Sequence, residues 1–276
     1  MSGHPAVRRG FVDGDYGQIH YRIAAPDTAV RAPLVCLHMS PKSSRSYEDI
    51  LPWLAGDRVV IAPDYPGHGE SAKPPATPHV TVADFARSMW ASVDALCDTP
   101  VHLLGCHTGA LVAVEACIQR PADVRSIVSL SAPLFTADEL GTLSAFFEPI
   151  PIDEEGQRFS IMWQRVLEHR GPGMTLQMAA DSFAENLRAG DDYEWGHRAA
   201  FAYAPDYPER LAAIEQPVFV MNPADDCHEA SKRADAVMQN GVRKDYPQWG
   251  HGFLNAFAEA AAEEILNFIE QCERND

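Results

Sequence analysis

Two histidines and one aspartate, far apart in the chain, carry the side chains best suited to chemistry. His107 sits in Gly105-Cys106-His107-Thr108-Gly109, between an apolar run and a stretch of small helix formers. Asp225 lies just past the apolar run Val218 to Met221, and His251, in Gly250-His251-Gly252-Phe253, precedes the last helical stretch. An imidazole titrates near 6.5, so at neutral pH it keeps a lone pair that can attack an activated acyl group or take a proton. A carboxylate beside such a ring fixes its orientation and steadies its charged form. Two neighbouring imidazoles also repel each other's charge, which leaves one as an acid and one as a base.

The elements that must position these groups alternate in type. Strands are expected at Gln18 to Ala24, Pro33 to His38, Arg58 to Pro63, Pro100 to Cys106, Val124 to Ser131, Val218 to Met221 and Val242 to Tyr246. Helices are expected at Ser43 to Leu54, Val80 to Leu96, Thr108 to Arg120, near Glu229 to Gln239, and from Leu254 to Cys272. Continuous apolar strands alternating with helices predict an α/β fold with a mostly parallel sheet covered on both faces. Residues 134–210 break the alternation and read as a helical cap over the sheet's carboxyl edge, leaving 1–133 and 211–276 as the core. The aromatics of that segment, Trp163, Phe183, Tyr193, Trp195, Phe201 and Tyr203, fit a core of its own. Trp163 and His197 are the cap residues placed around substrate, with a role on the cap surface as the other reading of His197.

At 276 residues the chain can bury a sizeable core, and its 46% apolar and 22% charged content is that of an ordinary globular protein. The formal net charge of −17 disfavours nucleic acid and anionic membrane surfaces as partners. The start, MSGHPAVRRG, has no apolar stretch behind its arginines, and no later run is long enough for a membrane helix. The six cysteines show no CxxC pair, which predicts free thiols in a reducing cytoplasm. The eleven histidines lack metal-ligand spacing, so no metal and no cofactor is expected. A monomer or homodimer acting on a small molecule is the expectation for partners.

Four motifs in order carry a resemblance. His38-Met39-Ser40-Pro41, followed by Lys42-Ser43-Ser44, resembles the HGxP oxyanion loop, and more closely the HGNPxSS form of haloalkane dehalogenases and epoxide hydrolases. Asp64-Tyr65-Pro66-Gly67-His68-Gly69-Glu70-Ser71 is similar to the DxPGxGxS loop. Gly105 to Gly109 has the spacing and context of the G-x-S-x-G nucleophile elbow, and Asp225 and His251 follow in the order of acid and histidine. The chain thus resembles the α/β-hydrolase fold superfamily over nearly its whole length, with histidine where the nucleophilic serine stands.

The resemblance implies that Asp225 orients His251, with Asp226 as the competing acid. The N–H of Thr108 and a donor from the Met39–Ser40 loop would stabilise an oxyanion. Ser40 is expected as a side-chain donor. His38 and His68 are expected to hold their loops together, with His38 also placed among the residues around substrate. Cys106 is expected to point into the fold. Three functions remain open: hydrolysis of a small ester, thioester or other activated carbonyl compound with His107 and His251 at its centre; a cofactor-independent lyase, isomerase or decarboxylase using both imidazoles as acid and base; and a non-catalytic small-molecule binding protein.

Overall fold

The computed structural model describes residues 4–190 and 195–275; Tyr193 lies outside the described residues. The strands are β1 (Arg8–Gly14), β2 (Gly17–Ala24), β3 (Leu34–Leu37), β4 (Val60–Pro63), β5 (Val101–Cys106), β6 (Val124–Leu130), β7 (Val218–Pro223) and β8 (Gly241–Tyr246). They form one eight-stranded sheet in the order β1-β2-β4-β3-β5-β6-β7-β8. β2 pairs antiparallel with β1 and β4, and every other pair is parallel. β3, β4, β5 and β7 are buried at every position, the pattern of strands covered on both faces. β1 escaped the sequence reading because it is an edge strand, RRGFVDG, with exposed and half-exposed residues throughout and no apolar run.

The helices are α1 (Leu51–Leu54), α2 (Val82–Leu96), α3 (Thr108–Gln119), α4 (Ala137–Phe146), α5 (Gln157–Glu168), α6 (Leu176–Arg188), α7 (Trp195–Tyr203), α8 (Tyr207–Ala212), α9 (His228–Ser231), α10 (Phe253–Ala256) and α11 (Ala258–Asn275). Three expected helices are shorter or broken. Ser43 to Leu54 is a 3-10 turn, Ser44–Tyr47, followed by α1, and Glu229 to Gln239 is α9 followed by the 3-10 turn Lys232–Ala236. The last helix divides at Phe257, where the backbone leaves helical geometry (φ −133°).

One apolar layer lies under α2 and α3 and the other under α1 and α11. Tyr203, Tyr207 and Leu211 join the first of these layers. Tyr203 donates from its hydroxyl to Glu115 of α3 at 3.0 Å, and Arg210 reaches the same carboxylate at 2.6 Å. The far end of the 134–210 segment is therefore anchored on the sheet's own helix layer.

Because the six strands from β3 to β8 run the same way, the loops after them meet at one edge, which is where open α/β sheets bind ligands. Asp64, at the end of β4, shows how such a loop is fixed. Its buried carboxylate pairs with His20 Nδ1 at 2.8 Å and accepts the backbone N–H groups of Ser44 at 2.6 Å and Glu70 at 3.0 Å. Burial works against the charge, but the bond to His20 and the backbone donors prevail and hold the group down at about 2. In the unfolded chain an aspartate titrates near 3.9. The stabilisation is therefore complete above about pH 4 and is lost as pH falls toward about 2, amounting to on the order of 2 kcal/mol. Urea midpoints are expected to fall across that window, and Asp64→Asn is expected to flatten that dependence while lowering stability at neutral pH.

Candidate active site

The turn from β5 into α3 brings backbone against backbone at this edge. A Cβ on Gly105 would run into the backbone of Gly109, and one on Gly109 into the carbonyl of Leu37 on β3. Glycine at both positions lets α3 start directly over the strand. His107 stands at the tip with φ 48° and ψ −108°, a conformation that costs a non-glycine residue about 1–3 kcal/mol. Its N–H donates to Leu130 at 3.1 Å and its carbonyl accepts from Ala110 at 2.9 Å, which fixes the ring's direction.

The pairing of imidazoles and carboxylates departs from expectation. His107 Nε2 lies 2.9 Å from Asp225 Oδ2, whereas His251 Nε2 lies 2.9 Å from Asp226 Oδ1. Asp225 thus orients His107, and it is Asp226 that serves His251. The physical reason is reach. A serine hydroxyl at the tip would extend only toward a histidine, while the longer imidazole spans the gap to the acid itself and leaves His251 to the neighbouring carboxylate. Asp225 is further fixed by Ser131 Oγ, which donates at 2.6 Å, and by the Cys227 N–H at 2.9 Å. Ser131 itself sits at φ 65°. The other nitrogen of His107, Nδ1, is 3.6 Å from Cys227 Sγ and 3.8 Å from Asp226 Oδ1. The two rings stand 5.3 Å apart, centre to centre.

Burial opposes a charge on His107, but the carboxylates of Asp225 and Asp226 favour it and raise the imidazole well above its usual range. Burial pushes the Asp225 carboxyl up, yet the positive charge at His107 pulls it below its usual value, and His107 with His251 lowers the more open Asp226 as well. Burial raises the Cys227 thiol to about 12 and the Cys106 thiol to about 11, so neither is a ready nucleophile. Both ring nitrogens of His107 face protein groups, which removes the open lone pair that sequence reasoning assigned to it.

These groups open into a cavity of about 560 Å³ between the sheet edge and the segment carrying α4 to α7. Its far wall includes Phe146, Phe147, Met174, Met178, Arg165 and His197. His197 stacks on Phe147 at 3.9 Å within that wall. Met39 and Ser40 line the near side, and Ser40 is tied to the elbow through its N–H on Thr108 Oγ1 at 3.4 Å. The Ser40 hydroxyl is 3.3 Å from His68 Nε2. His38 is buried, with Nδ1 on the Met39 carbonyl at 2.9 Å and Nε2 accepting the Tyr65 N–H at 3.1 Å, so it braces the loop beneath the cavity floor to which it contributes. One expectation is corrected. Trp163 lies outside the cavity wall and packs on Phe183 at 5.5 Å, because its face of α5 turns toward α6.

Sequence reasoning missed Cys227, Ser131 and Lys42. Lys42 Nζ donates to Ser182 O at 2.7 Å, Ser182 Oγ at 2.7 Å and Asn186 Oδ1 at 2.5 Å, while Ser43 donates to Glu185. The oxyanion-type loop is thereby clamped to α6. Lys42→Met strips three acceptors of their donor, so a loss of about 1–3 kcal/mol is expected. Amide exchange of α6 is expected to accelerate more than that of α3. Uniform acceleration of both would contradict a local clamp.

The family model for the alpha/beta hydrolase fold matches residues 32–171. Among curated proteins, a proline iminopeptidase from Heyndrickxia coagulans is 30% identical over 148 residues, covering 52% of this chain and 50% of that protein. A pimeloyl-[acyl-carrier protein] methyl ester esterase from Neisseria meningitidis is 31% identical over 119 residues, 43% of each chain. The chain therefore spans about half the length of the curated relatives it matches. Among solved structures, an esterase from Exiguobacterium antarcticum superposes with a TM-score of 0.74 at 19% identity, over 94% of this chain and 98% of that one. The last likeness is one of fold.

Proposed function

The chain belongs to the α/β hydrolase fold family, and on that premise we propose that it hydrolyses a small ester, thioester or similar activated carbonyl compound by direct attack of water, without an acyl-enzyme. One observation carries this reading: His107 has both ring nitrogens against protein groups, while a second imidazole–carboxylate pair, His251 with Asp226, borders the same cavity. With Nε2–H donating to Asp226, Nδ1 of His251 is the nitrogen that takes a proton from water as the oxygen adds to the carbonyl carbon. The oxyanion then draws on the N–H groups of Thr108 and Met39, the positive end of α3 and the charge at His107. Collapse breaks the bond to the leaving group, which receives the proton from His251.

The relatives support hydrolysis of acyl compounds: one is named as a methyl ester esterase and another as an iminopeptidase. The aromatic and methionine-rich wall suits an apolar or aromatic substrate of modest size. The six free thiols suit a reducing compartment such as the cytoplasm. Among the described residues no helix is long and apolar enough to cross a membrane.

The test is a panel of aryl esters and thioesters of varied acyl length, given to wild type, His107→Gln and His251→Ala. Turnover in wild type, with kcat falling in both variants, is the expected result. The absence of turnover over the whole panel would remove the hydrolytic reading and favour carbon–carbon lyase chemistry or ligand binding.

A further inference from the structure

We propose that the loop after β7 and the elbow tip together hold a divalent transition-metal ion of borderline softness, zinc or cobalt, through His107 Nδ1, Cys227 Sγ and an Asp226 oxygen. The proposal rests on the site being hydrolytic only in what the ion would do there, not in whether it binds. Ligating atoms of His107, Asp225, Asp226 and Cys227 all lie within 4.8 Å of one another. A tetrahedral ion with bonds of roughly 2.0–2.3 Å spaces its ligand atoms roughly 3.4–3.6 Å apart. The observed edges from Nδ1 are 3.6 Å to the sulfur and 3.8 Å to the carboxylate oxygen, close to that spacing.

A second, independent feature points the same way. The remaining nitrogen of His107 bonds Asp225, and Asp225 is itself held by Ser131 Oγ and the Cys227 N–H. A ligating histidine whose other N–H meets a fixed carboxylate is the usual outer arrangement of a metal site. The donor set also selects: thiolate with imidazole favours zinc-like ions over magnesium or calcium, which prefer all-oxygen shells.

Coordination would release two protons, from the Cys227 thiol and from His107 Nδ1, and put a cation where the imidazolium charge otherwise stands. Three protein ligands would leave a fourth position open, as in catalytic zinc sites, and all three residues belong to the groups around the cavity and its elbow. The spacing of the histidines along the sequence gives no sign of this set, because one ligand comes from the elbow and two from adjacent positions 119 and 120 residues later.

Chelator-treated protein titrated with Co²⁺ alone tests the site. One cobalt per chain, with a sulfur-to-cobalt charge-transfer band in the absorption spectrum, is expected. Cys227→Ser should lose that band, and His107→Gln should bind more weakly. Asp225→Asn should retain the band but bind about 10–100-fold more weakly. Circular dichroism on each variant establishes that it is folded. If Cys227→Ser does not fold, the weaker binding of His107→Gln decides the matter instead. Absence of the band in wild type, a band unchanged in folded Cys227→Ser, or cobalt uptake without stoichiometry would overturn the site. Ester turnover by chelator-treated protein, measured alongside, reports on the hydrolytic reading separately.

Discussion

Replacing His251 by alanine is expected to lower kcat/KM for a good ester substrate by about 10²–10⁴-fold, the usual contribution of a positioned general base. The loss should fall on kcat, because His251 forms one edge of a large cavity whose binding surface comes mainly from elsewhere. No acyl adduct should accumulate in this variant. In a covalent mechanism that used His251 to activate the second, hydrolytic step, the same substitution would trap the acyl group, and its mass would appear on the protein. Steady-state kinetics with intact mass of His251→Ala therefore separate the two mechanisms. A trapped acyl group on His107 would reverse the roles assigned to the two rings.

The second large effect concerns the two adjacent aspartates. Asp226→Asn takes the carboxylate from His251 and is expected to cost about 10²–10⁴-fold in kcat/KM, since an amide can hold the ring in the wrong tautomer. Asp225→Asn acts on His107, and through it on the charge near the oxyanion. Its loss should be closer to the 10²–10³-fold typical of removing one stabilising group. The two should also differ in what restores them. Asp226→Glu keeps a carboxylate on an exposed, roomy side, with 37% of the Asp226 side chain open to solvent, and should recover part of the rate. Asp225→Glu has no such room, as only 4% of that side chain is exposed among Ser131, Cys227 and His107. Equal losses in the two asparagine variants, or a larger loss at Asp225, would mean that the pairing seen here is not the one used in turnover.

The architecture was legible in the sequence because its strongest signals are local. Buried strands such as VHLLGC and VFVMNP read as continuous apolar runs, and the loops that follow them carry glycines demanded by close backbone contact. β1 was not legible, since an edge strand such as RRGFVDG keeps polar residues outward and shows no such run. The same contrast holds at the site. That His107, Asp225 and His251 gather at one sheet edge follows from their places after strands. Which carboxylate meets which ring does not, because Asp225 and Asp226 are neighbours in sequence and their side chains part only in three dimensions. Lys42 was equally hidden: its acceptors lie 140 and 144 residues away on α6, and nothing at Lys42 itself announces them. Trp163 shows the opposite error. An aromatic in a presumed cap suggested a substrate wall, but the ring packs on Phe183 within that segment.

In the proposed mechanism water, not His107, attacks the carbonyl carbon. Rapid-quench intact mass of wild-type protein during turnover of an activated aryl ester, with the leaving group followed in the same time course, tests it most directly. Linear release from the first turnover with unmodified protein at every time point is the predicted result. A burst of leaving group near one equivalent, with the acyl mass located on His107, would contradict it.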